Sequence, residues 1–335
     1  MLSFACEHCG NLVFFENTVC LHCQTPQGFV PDFLQLVALE GERVNLHRCA
    51  NAELAQCNWM VDRVDTLCRS CELTRTRPND SDAEGLRGFT LAEAAKRRVV
   101  FALLELELPG VDPAQLRFDL LSSQQEAVTT GHADGVITVD LAESDDARRE
   151  RRRTELGEPY RTMLGHLRHE LGHYFQPLLI IEDAEWDRCR ELFGDERIDY
   201  QEALDRHYDQ GTPLGWEARH VSAYATMHPW EDWAETFAHY LHIRDTLQTA
   251  AEYGVTVHGP RAVTNDGSLT ASPQPETGEG SFAEVLDNWL PLTYALNAVN
   301  RSMGRDGLYP FTLASPVIEK LAFLHDRVQA ARSRR

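Results

Sequence analysis

The sequence predicts an α+β protein in which a cysteine-rich N-terminal module precedes a mainly helical domain with a small sheet. Three observations carry that expectation. Cysteine pairs with two residues between them crowd the first 78 residues, a stretch of helical periodicity at 159–176 holds His169-Glu170-Leu171-Gly172-His173, and two strand-like pieces lie between these features.

Composition narrows the classes further. A chain of 335 residues suffices for one sizeable core and a smaller module. Its formal net charge of −20 argues against affinity built on neutralising phosphates and against anionic membrane surfaces. No apolar run approaches the ~20 residues of a membrane helix. Met1-Leu2-Ser3-Phe4-Ala5 leads straight into cysteines, so no signal peptide is expected. Nine cysteines in such a chain read as metal ligands rather than disulfides, in a cytoplasmic protein.

Residues 1–78 form the first module. Cys6-x2-Cys9 and Cys20-x2-Cys23 are two knuckles, each bringing two thiolates to one side of a tetrahedral Zn²⁺, and the pair makes a closed four-cysteine structural site. A doubled motif without βαβ context is not a thioredoxin-like redox pair. Asn11-Leu12-Val13-Phe14-Phe15 reads as a ribbon strand. Cys49, Cys57, Cys68 and Cys71 are assigned to a second structural zinc, although Cys49-x7-Cys57 is too wide for a knuckle. His8, His22 and His47 lie near these ligands and read as exposed loop residues able to replace one. So small a segment needs its metals for much of its folding free energy. Arg43, Arg48, Arg63, Arg69, Arg75 and Arg77 are outnumbered by acidic residues, so docking to a protein partner is a better reading than nucleic-acid binding. Only the patch at 69–77 keeps the latter open.

The polar stretch 77–82 marks a boundary. Residues 79–257 are read as the second domain, opening with a helix over 90–108 capped by Thr90 with Glu93 three residues on, and with Leu91, Ala94, Ala95, Val99, Leu103 and Leu106 facing the core. Strands follow at 116–121 and 135–141, the second alternating as a half-buried strand does. It reads either as an edge strand able to pair with an extended peptide or as an ordinary sheet strand. Gly131-His132-Ala133-Asp134-Gly135 before it reads as a turn, with His132 outside the ligand set. The charged stretch 145–155 reads as a solvated helix or loop.

Tyr160, Met163, Leu164, Leu167, Leu171 and Phe175 then recur at intervals of three and four, the mark of a helix with one buried side. On that helix His169 and His173 share a face, so both imidazoles can reach one Zn²⁺, while Glu170 points to a water on the metal. Catalytic zinc takes a third protein ligand and leaves one position for water. The stretch 220–240 supplies candidates. Pro229 suits the first turn of a helix, and Trp230, Trp233, Ala234, Phe237, Ala238 and Leu241 form its apolar stripe. Glu231 and Glu235 point to one side among aromatics, which is costly without a compensating cation. Glu231 is assigned as third ligand and Glu235 as the brace of a ligand imidazole. The swapped order and a structural ion-pair role remain alternatives, with His228, His239 and His242 as competing ligands. Tyr224 is either the donor to a developing oxyanion or a core residue. Cys189, on the helix expected at Asp183–Phe193, reads as core. Residues 258–281 read as a flexible loop or linker, and 282–335 as helices docked on the catalytic domain, with a disordered tail from Arg332.

CEHCGNLVFFEN, LCRSCELTRTRP, GHADGVITVD, EPYRTMLGHLRHELGHYF and HPWEDWAETFAHYLH together resemble the bacterial zinc-binding metallopeptidases that carry an N-terminal zinc-ribbon domain, over nearly the whole chain. The resemblance implies a zinc-dependent peptidase and no substrate class. Tyr224 followed by EDWAETF is also similar to anthrax-lethal-factor-type gluzincins, which implies zinc binding by Glu231, bracing of a histidine by Glu235 and oxyanion assistance by Tyr224. The expected protein is a zincin-like, gluzincin-type metallopeptidase with one catalytic and two structural zinc ions. It would hydrolyse peptide bonds by Glu170-assisted attack of a zinc-bound water. The alternatives are a ribbon adaptor with an idle or regulatory zincin site, and a peptidase acting on nucleic-acid-bound proteins.

Overall fold

The computed structural model describes residues 2–39, 46–124, 126–144, 162–260, 269–309, 311 and 313–334. Arg43, the charged stretch 145–155 and Tyr160 lie outside the described residues. Two compact units divide the rest, one holding the described residues up to 144 together with 162–174, the other holding 175–334. The architecture is α+β, with most of the short strands before residue 141 and most of the helices after it.

The first unit begins with short hairpins that present cysteines. Strand β1 (Phe4–Ala5) pairs antiparallel with β2 (Leu12–Val13), so the Cys6 knuckle forms the turn between them. Strands β3 (Gln27–Val30) and β4 (Gln35–Ala38) form a second antiparallel pair, and β5 (His47–Arg48) and β6 (Met60–Val61) a third. Phe29 bridges in parallel to Trp59, tying the second pair to the third. Behind them lies an aromatic core in which Phe29 packs on Phe15 and Trp59 with centroids 4.9 Å from each, and Phe15 packs 5.1 Å from Phe101. Phe101 belongs to helix α1 (Ala83–Glu105), so the cysteine module shares its core with that helix instead of depending on metal alone.

Helix α1 starts earlier than the expected Thr90 cap. Asp82 is the cap, its carboxylate accepting from Gly85 N at 2.7 Å. A side chain at 85 would place Cβ 2.3 Å from Asp82 Oδ2, so the glycine makes this cap possible rather than breaking the helix. Thr90 lies inside the helix and donates to the carbonyls of Leu86 and Leu54, both at 3.1 Å. The buried face is also rotated from the expected stripe, with Leu91 exposed and Glu93 and Lys96 fully buried. Their charges are matched inside: Lys96 Nζ donates to Glu93 Oε1 at 2.6 Å, and Thr74 Oγ1 donates to the same oxygen at 2.5 Å. A buried pair holds only when its remaining valences are satisfied in this way.

Strands β7 (Thr74–Thr76), β8 (Arg117–Leu121), β9 (Gly131–Ala133) and β10 (Val136–Asp140) form one mixed sheet in the order β7-β8-β10-β9. Strand β10 therefore lies inside the sheet, parallel to β8 and antiparallel to β9. The edge-strand reading is overturned, because alternation reports two unlike faces and says nothing about which strands lie alongside. The expected turn at 131–135 is half strand. Only Asp134 and Gly135 turn, at φ 49° and 76°, the two left-handed residues of a two-residue hairpin that Asp-Gly favours.

Helix α2 (Met163–Leu179) carries the His-Glu motif, with Pro177 near its C-terminal end. In the second unit, α3 (Asp183–Phe193) opens with a reciprocal cap between Glu182 and Glu185, and α4 (Tyr200–Gln210) is capped by Asp199. Helix α5 (Pro229–Glu252) has proline at its first turn and is buried on nearly every side, as a central helix must be. Strands β11 (Val257–Gly259) and β12 (Leu269–Ala271) pair antiparallel, so the stretch expected to be loop from 258 to 281 contributes a small sheet. Helix α6 (Phe282–Ser302) begins with the Ser281/Glu284 capping box. Helix α7 (Ser315–Ser333) runs into the expected tail, where Arg332 pairs with Glu279 at 3.1 Å and Arg334 with Glu185 at 3.4 Å. Lys320 of α7 donates to Asp232 of α5 at 2.5 Å, locking the start of α5. No described helix is long and apolar enough to cross a membrane.

Candidate metal centre

Cys6, Cys9, Cys20 and Cys23 form one cluster of ligand atoms, and Cys49, Cys57, Cys68 and Cys71 a second. Sulfurs of Cys6 and Cys23, and of Cys9 and Cys20, are 3.7 Å apart, and those of Cys57 and Cys68 are 3.6 Å apart. A tetrahedron with Zn–S bonds of ~2.3 Å needs edges of about 3.8 Å, whereas a disulfide needs ~2.05 Å. The spacing fits zinc and excludes bridges. Backbone amides support the charge that thiolates carry: Cys68 N donates to Cys49 Sγ at 3.2 Å and Asn51 N to the same sulfur at 3.4 Å. Hydrogen bonding to the side chain and backbone of Thr25 draws the Cys23 thiol down to about 6, toward the form that binds metal.

The third cluster is His169, His173 and Glu231, one ligand atom from each lying within 4.8 Å of the others. The two Nε2 atoms are 3.2 Å apart with the rings nearly perpendicular, at 85°. Two imidazoles on one tetrahedral zinc at ~2.1 Å place their nitrogens about 3.4 Å apart, so the pair has the spacing of two corners. All three residues are buried, Glu231 at 2% exposure. Glu231 sits in the first turn of α5, where the helix dipole favours a carboxylate, and Tyr200 donates its hydroxyl to Glu231 Oε1 at 2.8 Å. Glu170, 5% exposed, follows His169 on α2.

Sequence reasoning missed three polar neighbours. Tyr200 opens α4, and nothing in its local sequence points to Glu231. His166 stands one turn before Glu170, and its Nε2 lies 3.2 Å from Glu170 Oε1 while its Nδ1 lies 2.5 Å from Glu143 Oε2. The i, i+4 spacing of His166 and Glu170 was a legible signal; Glu143, 23 residues away, left none. Burial pulls the His166 imidazole down, yet its bonds to Glu143 and Glu170 outweigh this and raise it to about 9. Burial would likewise raise Glu170, and the His166 bond together with the nearby ligand imidazoles holds it below the ordinary carboxylate value.

A family profile described as "Putative zinc-binding metallo-peptidase" matches residues 85–327, and one described as a zinc-ribbon domain matches residues 3–82. The chain belongs to this zinc-binding metallopeptidase family. Uncharacterized proteins of Mycobacterium bovis and Mycobacterium tuberculosis are 50% identical to it over 333 residues, covering 97% of this chain and 94% of theirs. No solved structure matches the chain.

The other expected site residues of the chain lie elsewhere among the described elements. Glu235 is half-buried on α5, one turn beyond Glu231, and accepts from Ser222 Oγ. Tyr224 opens a short 3₁₀ turn and stands edge-on to His207 at 6.1 Å. His228 is the cap of α5, its Nδ1 accepting from Trp230 N at 3.0 Å, which occupies it outside the ligand cluster. His239 Nδ1 meets the Tyr309 hydroxyl at 2.6 Å in the core of the second unit. Burial pushes the Cys189 thiol up to about 12, as suits a core residue and not a nucleophile. His132 accepts from Gly135 N at 3.2 Å within the β9–β10 hairpin.

Proposed function

We propose that the chain is a zinc metallopeptidase of gluzincin type that hydrolyses peptide bonds, with His169, His173 and Glu231 as ligands of the catalytic zinc. The observation that carries this reading is the convergence of those three ligand atoms beside the buried Glu170. When bound, zinc would supply Lewis acidity, lowering the pKa of a water and polarising the substrate carbonyl. Glu170 takes the proton from the attacking water and returns it to the leaving nitrogen. Tyr224 donates to the oxygen on which negative charge develops, and Glu235 braces one of the ligand imidazoles. Tyr200 holds one oxygen of Glu231 and orients the other. Cys6, Cys9, Cys20 and Cys23 hold the first structural zinc, and Cys49, Cys57, Cys68 and Cys71 the second, giving three ions per chain. The two family-profile matches meet between residues 82 and 85, which supports a ribbon module before the catalytic domain. Nine cysteines without a disulfide among them suit a cytoplasmic setting.

A second reading, a ribbon adaptor with an idle zincin site, is favoured by exposed apolar side chains on the ribbon, Leu21 at 77% and Phe33 at 73%. Nucleic acid is a poorer partner. Of the arginines that kept it open, Arg75 is tied to Asp119 and Arg77 to Asp80. The zinc-loaded chain should cleave members of a proteome-derived peptide library, lose that activity on chelation and regain it with Zn²⁺. A zinc-replete chain inert toward the whole library would favour the adaptor.

A further inference from the structure

His166 is held on both sides by acids. Its Nδ1 lies 2.5 Å from Glu143 Oε2 and its Nε2 lies 3.2 Å from Glu170 Oε1. The side chains of Glu143 and Glu170 are each only 6% exposed. A carboxylate only accepts, and a neutral imidazole carries one donor and one acceptor, so meeting both acids requires an N–H on each ring nitrogen. Glu143 is anchored in turn. Its other oxygen accepts from Thr130 Oγ1 at 3.1 Å, and that hydroxyl accepts from Asp140 N at 3.1 Å at the end of β10. A continuous chain of polar contacts thus runs from the sheet through Thr130, Glu143 and His166 to Glu170, hydrogen-bonded as far as His166 and closed by an ion-pair contact to Glu170.

We propose that His166, clamped by Glu143, is a positioning residue that fixes the carboxylate of Glu170. The clamp occupies Oε1 and leaves Oε2 for proton transfer, so the base meets the water in one orientation instead of many. The inference rests on the role given to Glu170 above. A carboxylate free to rotate loses the alignment on which proximity effects depend, a loss of up to about 100-fold. Among the described residues neither His166 nor Glu143 belongs to a metal-ligand cluster, so the clamp should act on turnover and not on metal content.

The test uses the full zinc-loaded chain and four variants: His166→Ala, His166→Gln, Glu143→Gln and the double variant Glu143→Gln/His166→Ala. His166→Ala should lower kcat about 100-fold with KM and zinc content unchanged. His166→Gln, which keeps a donor toward Glu170, should recover part of that loss. The double variant should be no worse than His166→Ala, because Glu143 acts through the ring. Histidine-selective ¹⁵N NMR at pH 7 should find both His166 nitrogens protonated in the parent chain and not in Glu143→Gln. Additive losses, or zinc content falling together with kcat, would overturn the proposal. So would a singly protonated ring in an active parent chain. An inert parent chain that still shows the doubly protonated ring would support the clamp while defeating the peptidase reading, so the two failures stay distinct. Glu143→Gln keeps the shape of the site, and it decides the matter should His166→Ala not fold.

Discussion

Glu170→Gln should abolish peptide hydrolysis, lowering kcat by about 10³-fold or more, while zinc content and thermal midpoint stay near those of the parent chain. General acid–base catalysis contributes roughly 10²–10⁴-fold, and each decade corresponds to about 1.4 kcal/mol in the barrier. The amide keeps the size of the side chain and still accepts from His166, so the local packing of α2 has no reason to change. What it loses is the ability to take a proton from the attacking water. Turnover of a chromogenic or library-derived peptide, measured beside metal content, checks this. Retained activity with zinc bound would remove Glu170 from the role of base.

Glu231→Ala should strip the third cluster of its metal far more than Glu235→Ala does. Glu231 is 2% exposed and its ligand atom lies within 4.8 Å of those on His169 and His173, so its loss removes a charge and a donor from the metal itself. Glu235 accepts from Ser222 and is only half-buried; an outer partner of this kind typically costs 10–100-fold in affinity. The loss at Glu231 should exceed that range. Zinc titration against a competing chelator, with the eight cluster cysteines intact, gives the comparison. The reverse order would exchange the two assignments.

The parts of this structure legible in the sequence are those whose signal is local. Each CxxC knuckle and the His169/His173 pair owe their geometry to spacing of three or four residues, and Pro229 marks the first turn of α5 because a missing N–H costs nothing there. What could not be read depends on partners far along the chain. Of the two readings of β10, the edge strand fails and the ordinary sheet strand holds, because its neighbour β8 is set by packing and not by its own alternation. Helix α1 begins before the expected Thr90 because Thr90 with Glu93 three residues on imitates a cap, while the actual cap is Asp82, for which the missing side chain of Gly85 makes room. The expected inward face of Leu91 and the capping role of Glu93 fail for a related reason. Glu93 faces Thr74, Lys96 and Cys71, at 2.5, 2.6 and 3.7 Å, and these contacts bury an acid that periodicity alone would expose. Around the candidate centre, Tyr200 reaches Glu231, and Glu143 and His166 reach Glu170, through tertiary contacts of which only the His166–Glu170 spacing has a trace in the sequence.

The central claim is that His169, His173 and Glu231 share one zinc ion while the eight cluster cysteines hold two others. Anomalous diffraction at the zinc edge from crystals of the purified chain tests it most directly. The account predicts three peaks, one of them bonded to His169 Nε2, His173 Nε2 and a carboxylate oxygen of Glu231, and that peak alone should disappear after mild chelation. Two peaks confined to the cysteine clusters in a zinc-saturated crystal, or a third peak bonded elsewhere, would contradict it.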